Sequence, residues 1–418
     1  MIKLSHRTQY NMTNKDLDNY IENLPHLSFQ QKRILKEEAQ DLLLWGGIQI
    51  TDLMPSVEEF SKLQKNQAKK VFNNVIDRIS QLRKAPTDYS DFNPVFSFDG
   101  TKPAIVPDFQ APDKIIGNCP CPKDGELTRC CNLKTLDAVQ QCGFACAYCS
   151  IQSFYANDQI KVVSNLEEYL DNLKLEEGLW HIGTGQSSDS LLLSDDYGTL
   201  SALGKFASKN PNVVIELKTK SARTDWLSLN LPRNIIATWS INAPTTVQKE
   251  EHLTASLKGR ITAAKQCIEN GRLVGFHIHP MVYFKGWKEE YKGIVEELCT
   301  QINPDNVVMV GLGALTFTKQ NLKALRESER PTRVTQMELT PAAGKFSYPL
   351  EVKQEMFSYV YSLFPQDWKE KVFFYLCMED PSLWQPCLGR QYNSNASFEA
   401  DMKDHYLAKI LQLSAKLS

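Results

Sequence analysis

Apolar residues between positions 14 and 83 recur near helical spacing: Leu35, Ala39, Leu42 and Leu43, then Phe60, Leu63, Ala68, Val71, Phe72, Val75, Ile79 and Leu82. Asp52, Pro55 and Ser56 interrupt the run, so the segment predicts amphipathic helices that cap a larger body. From Pro86 to Asp124 the pattern dissolves into proline, aspartate and glycine, as a linker or irregular excursion would. A domain boundary is placed near Asp113, giving a helical cap and linker over 1–112.

Beyond it the pattern alternates. Leu133–Val139, Trp180–Ile182, Val213–Leu217, Ile235–Ile241, Leu273–Ile278 and Val307–Leu312 are short apolar or β-branched runs, and stretches such as Leu257–Ile268 and Trp287–Ile302 between them keep helical periodicity. Six strand-helix units imply parallel strands with right-handed crossovers. The fold class read from this is α/β, a partial (β/α)6 barrel over 113–345 whose site gathers at the C-terminal strand ends. A C-terminal α/β extension over 346–418 carries a helix at Leu350–Leu363, a strand-like Val372–Leu376 and a helix near Phe398–Leu417.

With 418 residues, 42% of them hydrophobic, the chain can bury a large core. Its net charge of −2 leaves any nucleic-acid contact to a local basic face. Lys319, Lys323, Arg326, Arg330, Arg333 and Lys345 are the candidates: a solvated helix face, or phosphate neutralisers if they rim the barrel mouth. The first residues open no apolar run of signal-peptide length, no stretch reaches membrane-spanning length, and the eleven cysteines are clustered rather than framework-like, so a reducing cytoplasm and no membrane contact are expected.

The most specific feature is Cys142-Gly-Phe-Ala-Cys146-Ala-Tyr148-Cys149, placed just after the first barrel strand. Three thiolates on one tight loop can each hold one iron of a cubane 4Fe-4S cluster and leave the fourth iron open to a small molecule. A zinc site would need a fourth ligand at suitable spacing, and no histidine follows to supply one. The remaining alternative is three unrelated buried thiols.

C-x3-C-x2-C at this place resembles the loop of the radical S-adenosylmethionine (SAM) enzymes. The resemblance narrows to the spore photoproduct lyase family, which cleaves a thymine dimer in DNA. It spans roughly Leu133 to Tyr375. It is carried by the cysteine loop, Ile182-Gly-Thr-Gly-Gln-Ser-Ser-Asp189-Ser, Leu217-Lys-Thr-Lys220 with Trp226, Trp239-Ser-Ile-Asn242, Ser256-Leu-Lys-Gly-Arg260, Gly275-Phe276 before Pro280, and Gly286-Trp287 with Tyr291. It implies a 4Fe-4S cluster on Cys142, Cys146 and Cys149, and SAM held by Gly183, Thr184, Gly185, Ser187, Lys220, Ser240 and Asn242. Reductive cleavage of SAM would give a 5'-deoxyadenosyl radical, with damaged DNA as substrate and flavodoxin or ferredoxin as electron donor. Tyr148 would match a tyrosine of the family's radical-transfer route.

Two departures qualify the resemblance. Where the family carries a hydrogen-donating cysteine this chain has Gln186, and a second tyrosine of the route corresponds to Ser150. Glutamine has no weak S–H bond to give. Either another thiol serves, or the substrate is a different small molecule or peptide. Cys377, after a late strand, is the preferred donor, ahead of Cys130 and Cys131, while Cys267 and Cys299 fall on helix faces and read as core. Cys119, Cys121, Cys130 and Cys131 could also form a second metal site. His277 and His279 share one strand face, inward or outward, and suit a polar pocket.

Overall fold

The computed structural model describes residues 12–94, 104–111, 115–119, 128–150 and 159–417. Cys121 and the proposed boundary at Asp113 lie outside them.

Helices α1 (Asn14–Glu22), α2 (Phe29–Trp45) and α3 (Lys65–Lys84), with two short helices between α2 and α3, build the N-terminal cap. Thr13 and Ser28 start α1 and α2 by accepting the N–H of Asp16 and Gln31. Leu35, Ala39, Leu42, Ala68, Phe72, Val75 and Ile79 form the buried stripes anticipated from the periodicity. The cap is tied to the body by ions as well as by apolar contact: Asp41, fully buried, pairs at 2.8 Å with Arg83 of the cap and at 2.8 Å with Arg326 of the body.

The main sheet has eight strands. They are β1 (Ile116–Asn118), β2 (Lys134–Leu136), β3 (His181–Thr184), β4 (Val214–Thr219), β5 (Ile235–Ser240), β6 (Val274–Met281), β7 (Val307–Ala314) and β8 (Phe373–Leu376). Spatial order equals chain order, and every neighbouring pair is parallel except β1 with β2. Helices α4 (Thr199–Lys209), α5 (Leu257–Glu269) and α6 (Trp287–Gln301) make crossovers and cover the outer face. Because helices cover one face and the chain fills the other, β7 reads Val-Val-Met-Val-Gly-Leu-Gly-Ala and is buried throughout.

The sheet curls into a half-barrel. Although β8 and β2 lie far apart in strand order, Arg129, just before β2, donates its N–H to the Glu379 carbonyl just after β8 at 3.0 Å. The six anticipated strands are β2 to β7. The strand assigned to the C-terminal extension is in fact the last barrel strand, pairing Met309 with Phe373 through Leu312 with Leu376. The Pro86–Asp124 stretch, expected to be a linker or irregular excursion, contains strands. Ala104–Phe109 is a strand parallel to Gln159–Val163, which pairs in turn with Val139–Gln140 beside the cysteine loop, and β1 joins the main sheet. Its charged and proline-rich composition hid edge strands, which need little apolar sequence. α7 (Lys319–Glu327), α8 (Leu350–Leu363) and α9 (Asn395–Leu417) complete the body. Among the described residues no helix is long and apolar enough to cross a membrane.

Candidate active site

The cysteine loop sits at the C-terminal end of β2, turned tightly: Gln141 and Ala145 are left-handed (φ +73° and +51°), and the Cys149 N–H reaches the Cys146 carbonyl at 3.1 Å. It is laddered to the chain after Pro244–Glu250. Cys146 bridges Glu251, Ala147 N–H donates to the Glu250 carbonyl at 2.8 Å, and Leu253 N–H to that of Phe144 at 3.2 Å. On its other side Gln141 N–H donates to the Ser187 carbonyl at 2.8 Å and the Ser188 hydroxyl to the Gln141 carbonyl at 2.7 Å. The segment holding Gln186 is therefore strapped to the loop. Among the described residues no disulfide joins the cysteines.

A buried ionic network lies against the loop. Lys220, one residue beyond β4, places its ammonium 2.5 Å from the Tyr148 hydroxyl, 2.9 Å from Glu251 Oε1 and 3.9 Å from Cys146 Sγ. Tyr148 donates to the same Glu251 oxygen. Arg260, fully buried, donates from Nη2 to Glu251 Oε2 at 2.5 Å and from Nη1 to the Ser240 carbonyl at 2.8 Å. Burial works against a charged Glu251, but Lys220 and Arg260 outweigh it and hold the carboxyl well below the usual range. Burial and the Glu251 charge push the Tyr148 hydroxyl up, so it keeps its proton. Burial likewise raises the Cys146 thiol to about 12, with Lys220 pulling the other way.

The other residues expected at the site divide in two. Ser240 has no side-chain partner among the described residues and stands at the end of β5, next to this network. Ser187 and Asn242 are already engaged. The Ser187 hydroxyl is 2.6 Å from Asp137, and Asn242, 1% exposed, accepts from Tyr291 at 2.8 Å and donates to the Pro280 carbonyl at 2.8 Å. Gly183 and Gly185 are explained by the chain's own packing. A Cβ on Gly183 would meet Leu133 at 2.8 Å, and Gly185 (φ +80°) lies where a Cβ would meet the Lys218 carbonyl at 2.8 Å. Thr184 hydrogen-bonds Ser190 at 2.6 Å.

Asp189 joins these strand ends, accepting from the Lys220 N–H at 2.6 Å and from the Thr219 hydroxyl at 2.8 Å. Glu251 was not singled out from sequence, and Asp189 was visible only as part of a motif. Arg260 was visible only as part of a motif, and the adjacent Glu250-Glu251 pair ending a helical run was the available signal.

The barrel interior is polar. His277 points inward to Glu216, as does Tyr375, whose hydroxyl is 3.5 Å from His277 Nδ1. Lys218, on the same face of β4 as Glu216, feels Cys119, Cys377 and Cys131. Those thiols meet where the half-barrel closes: Cys130 hydrogen-bonds Cys131, and Cys131 lies near Cys377 and Cys119. Among the described residues no three His, Cys, Asp or Glu side chains are placed to hold a single metal ion, and Cys121, one of the four candidate ligands of a second site, lies outside them. The basic run does not rim the mouth as a unit. Arg326 pairs with Asp41 and Arg333 with Asp91, and both hold the cap.

The family model for spore photoproduct lyase matches residues 135–364. Spore photoproduct lyase of Clostridium acetobutylicum is 24% identical over 169 residues, covering 39% of this chain and 50% of that protein. The chain thus spans about half the length of that curated relative. A solved structure of spore photoproduct lyase complexed with dinucleoside spore photoproduct superposes with a TM-score of 0.51 at 21% identity, covering 58% of this chain and 76% of the other, a likeness of fold. With more than half of its 418 residues matched, the chain belongs to the spore photoproduct lyase family.

Proposed function

We propose that this protein is a radical SAM enzyme that repairs a thymine photoproduct in DNA in a reducing cytoplasm. The observation that carries the reading is the cysteine loop at a strand's C-terminal end, beside a buried lysine and an unengaged serine.

The donor set fits the cofactors. Three soft thiols lie within eight residues, none of them in a disulfide, and a cubane takes one thiolate per iron. Such a cluster on Cys142, Cys146 and Cys149 would supply an open iron for SAM and the electron, delivered by flavodoxin or ferredoxin, that splits it to a 5'-deoxyadenosyl radical. The chain's residues would do the rest. Lys220 would hold the SAM carboxylate, Ser240 a ribose hydroxyl, and the Gly183-Thr184-Gly185 backbone the amino group. Ser187 and Asn242 support these positions through Asp137 and Tyr291.

Tyr148, protonated and held by Lys220 and Glu251, would pass a hydrogen atom in this reading. Cys377 is the proposed final donor. It lies two residues beyond inward-facing Tyr375, so its thiol shares the barrel interior, where it could approach a product carbon to ~3 to 3.5 Å. Its S–H bond breaks, the product C–H bond forms, and the sulfur keeps the unpaired electron.

A second reading keeps the chemistry and changes the substrate to another small molecule or a peptide. Gln186 and the charged interior of Glu216 and Lys218 favour it. The two separate on ultraviolet-irradiated DNA. Repair predicts that irradiated but not intact thymine-containing DNA raises 5'-deoxyadenosine output and regenerates thymine; irradiated DNA that neither binds nor reacts leaves the second reading.

A further inference from the structure

Glu251 is more than a counter-ion. Its backbone forms the bridge to Cys146, and its carboxylate is shared by Tyr148, Lys220 and Arg260. Arg260 fixes that carboxylate in turn. Nε donates to the Ala255 carbonyl at 2.9 Å and Nη1 to that of Ser240 at 2.8 Å, so the guanidinium cross-links the end of β5 to the start of α5. The carboxylate therefore has little freedom, and Lys220, drawn to it at 2.9 Å, is held with its ammonium directed at the Cys146 sulfur, 3.9 Å away.

At that distance the N–H···S contact is weak, and the charge matters more than the bond. Lys220 is the cation nearest a thiolate that would ligate iron; Glu251 offsets it, Arg260 offsets Glu251, and the Asp189 carboxylate lies against the Lys220 backbone N–H. Cluster potentials follow net charge and hydrogen bonding at the sulfurs, and a positive neighbour favours the more negative, reduced state.

We propose that Glu251 is a positioning residue that sets both the aim and the net charge of Lys220 against Cys146, and that the pair thereby tunes the reduction potential of the cluster. This rests on the reading of Cys142, Cys146 and Cys149 as cluster ligands.

The test is an EPR-monitored redox titration of the reconstituted full-length protein without SAM, so that Lys220 keeps these partners. Lys220→Met removes the cation and should move the midpoint to more negative values. Glu251→Gln removes the anion and should move it to more positive values. Lys220→Arg, which keeps the charge, should restore most of the loss. In Lys220→Met/Glu251→Gln the two shifts should not add, because part of the Glu251 effect passes through Lys220. Should Glu251→Gln fail to fold, Glu251→Asp, which keeps the charge and shortens the reach to Lys220, takes its place and should move the midpoint toward that of Lys220→Met; an unchanged midpoint in it counts against the positioning role. Unchanged midpoints, or shifts of the same sign in both single variants, overturn the proposal while leaving the cluster assignment standing. A protein that takes up no cluster overturns the underlying reading instead.

Discussion

Glu216 Oε1 sits 2.7 Å from His277 Nε2 inside the half-barrel, with the Thr238 hydroxyl donating to the same oxygen at 2.8 Å. The other oxygen lies 3.0 Å from His181 Nε2. One carboxylate, 2% exposed, thus organises strands β3, β4, β5 and β6 from within. Burial alone would keep it protonated, but Lys218, His181 and His277 hold it well below the usual carboxylate range. Glu216→Ala strands these partners without an acceptor and should cost about 3–5 kcal/mol of stability by denaturant unfolding. A loss below about 1 kcal/mol would mean that water replaces the carboxylate.

Glu250 gives a pH dependence of definite sign. It is fully buried and accepts from Tyr89 (2.8 Å), Thr332 (2.6 Å) and the Arg333 N–H (2.9 Å), joining cap to barrel. Burial raises its carboxyl from 4.5 to about 7, the hydrogen bonds offsetting only part. A raised folded-state value means the native protein binds the proton more tightly than the unfolded chain. Its contribution is fully present below about pH 4.5 and is lost as pH rises through about 7, on the order of 3 kcal/mol. Unfolding of wild type and Glu250→Gln at pH 5 and pH 8 checks this. The gap between the two proteins should change with pH, and a constant gap refutes the raised value.

Arg326 and Arg333 should behave as fasteners of the cap, not as phosphate contacts. Arg326 meets Asp41 at 2.8 Å, and Arg333 donates to the Trp45 carbonyl at 3.0 Å and pairs with Asp91 at 2.5 Å. Arg326→Ala/Arg333→Ala should lower stability by several kcal/mol, because Asp41 and the Trp45 carbonyl lose buried partners. DNA affinity, measured at a stated salt concentration, should change less than about twofold if the folded fraction is held equal. A large loss of binding in a folded variant would return them to the interface.

The strands and the cysteine loop were legible in sequence because each is a local signal. Buried parallel strands give apolar runs, and a cluster loop gives fixed cysteine spacing. The partners at a distance were not. Cys146 and Glu251 are joined by a bridge between remote segments, and Arg129 meets Glu379 across the whole sheet. β8 read as part of an extension because its neighbour β7 is separated from it by three helices and a hairpin. The inward turn of His277 and the engagement of Asn242 with Tyr291 depend on sheet curl and side-chain packing, which no periodicity encodes.

Cys377→Ala should leave SAM cleavage within about twofold of wild type and divert product to radical-derived adducts, since it removes only the final hydrogen atom. Liquid chromatography with mass spectrometry reads both. Normal product at the normal rate eliminates Cys377 and leaves Tyr148 or solvent as the donor.

The central claim, radical SAM chemistry on the Cys142, Cys146 and Cys149 loop, is tested most directly by anaerobic reconstitution with iron and sulfide, reduction with dithionite, and chromatography of the products after SAM is added. The wild-type protein should release 5'-deoxyadenosine and methionine. Each cysteine-to-alanine variant should lose both the cluster spectrum and this cleavage. Cleavage that persists in the variants, or a wild-type protein that binds the cluster and leaves SAM intact, would contradict it.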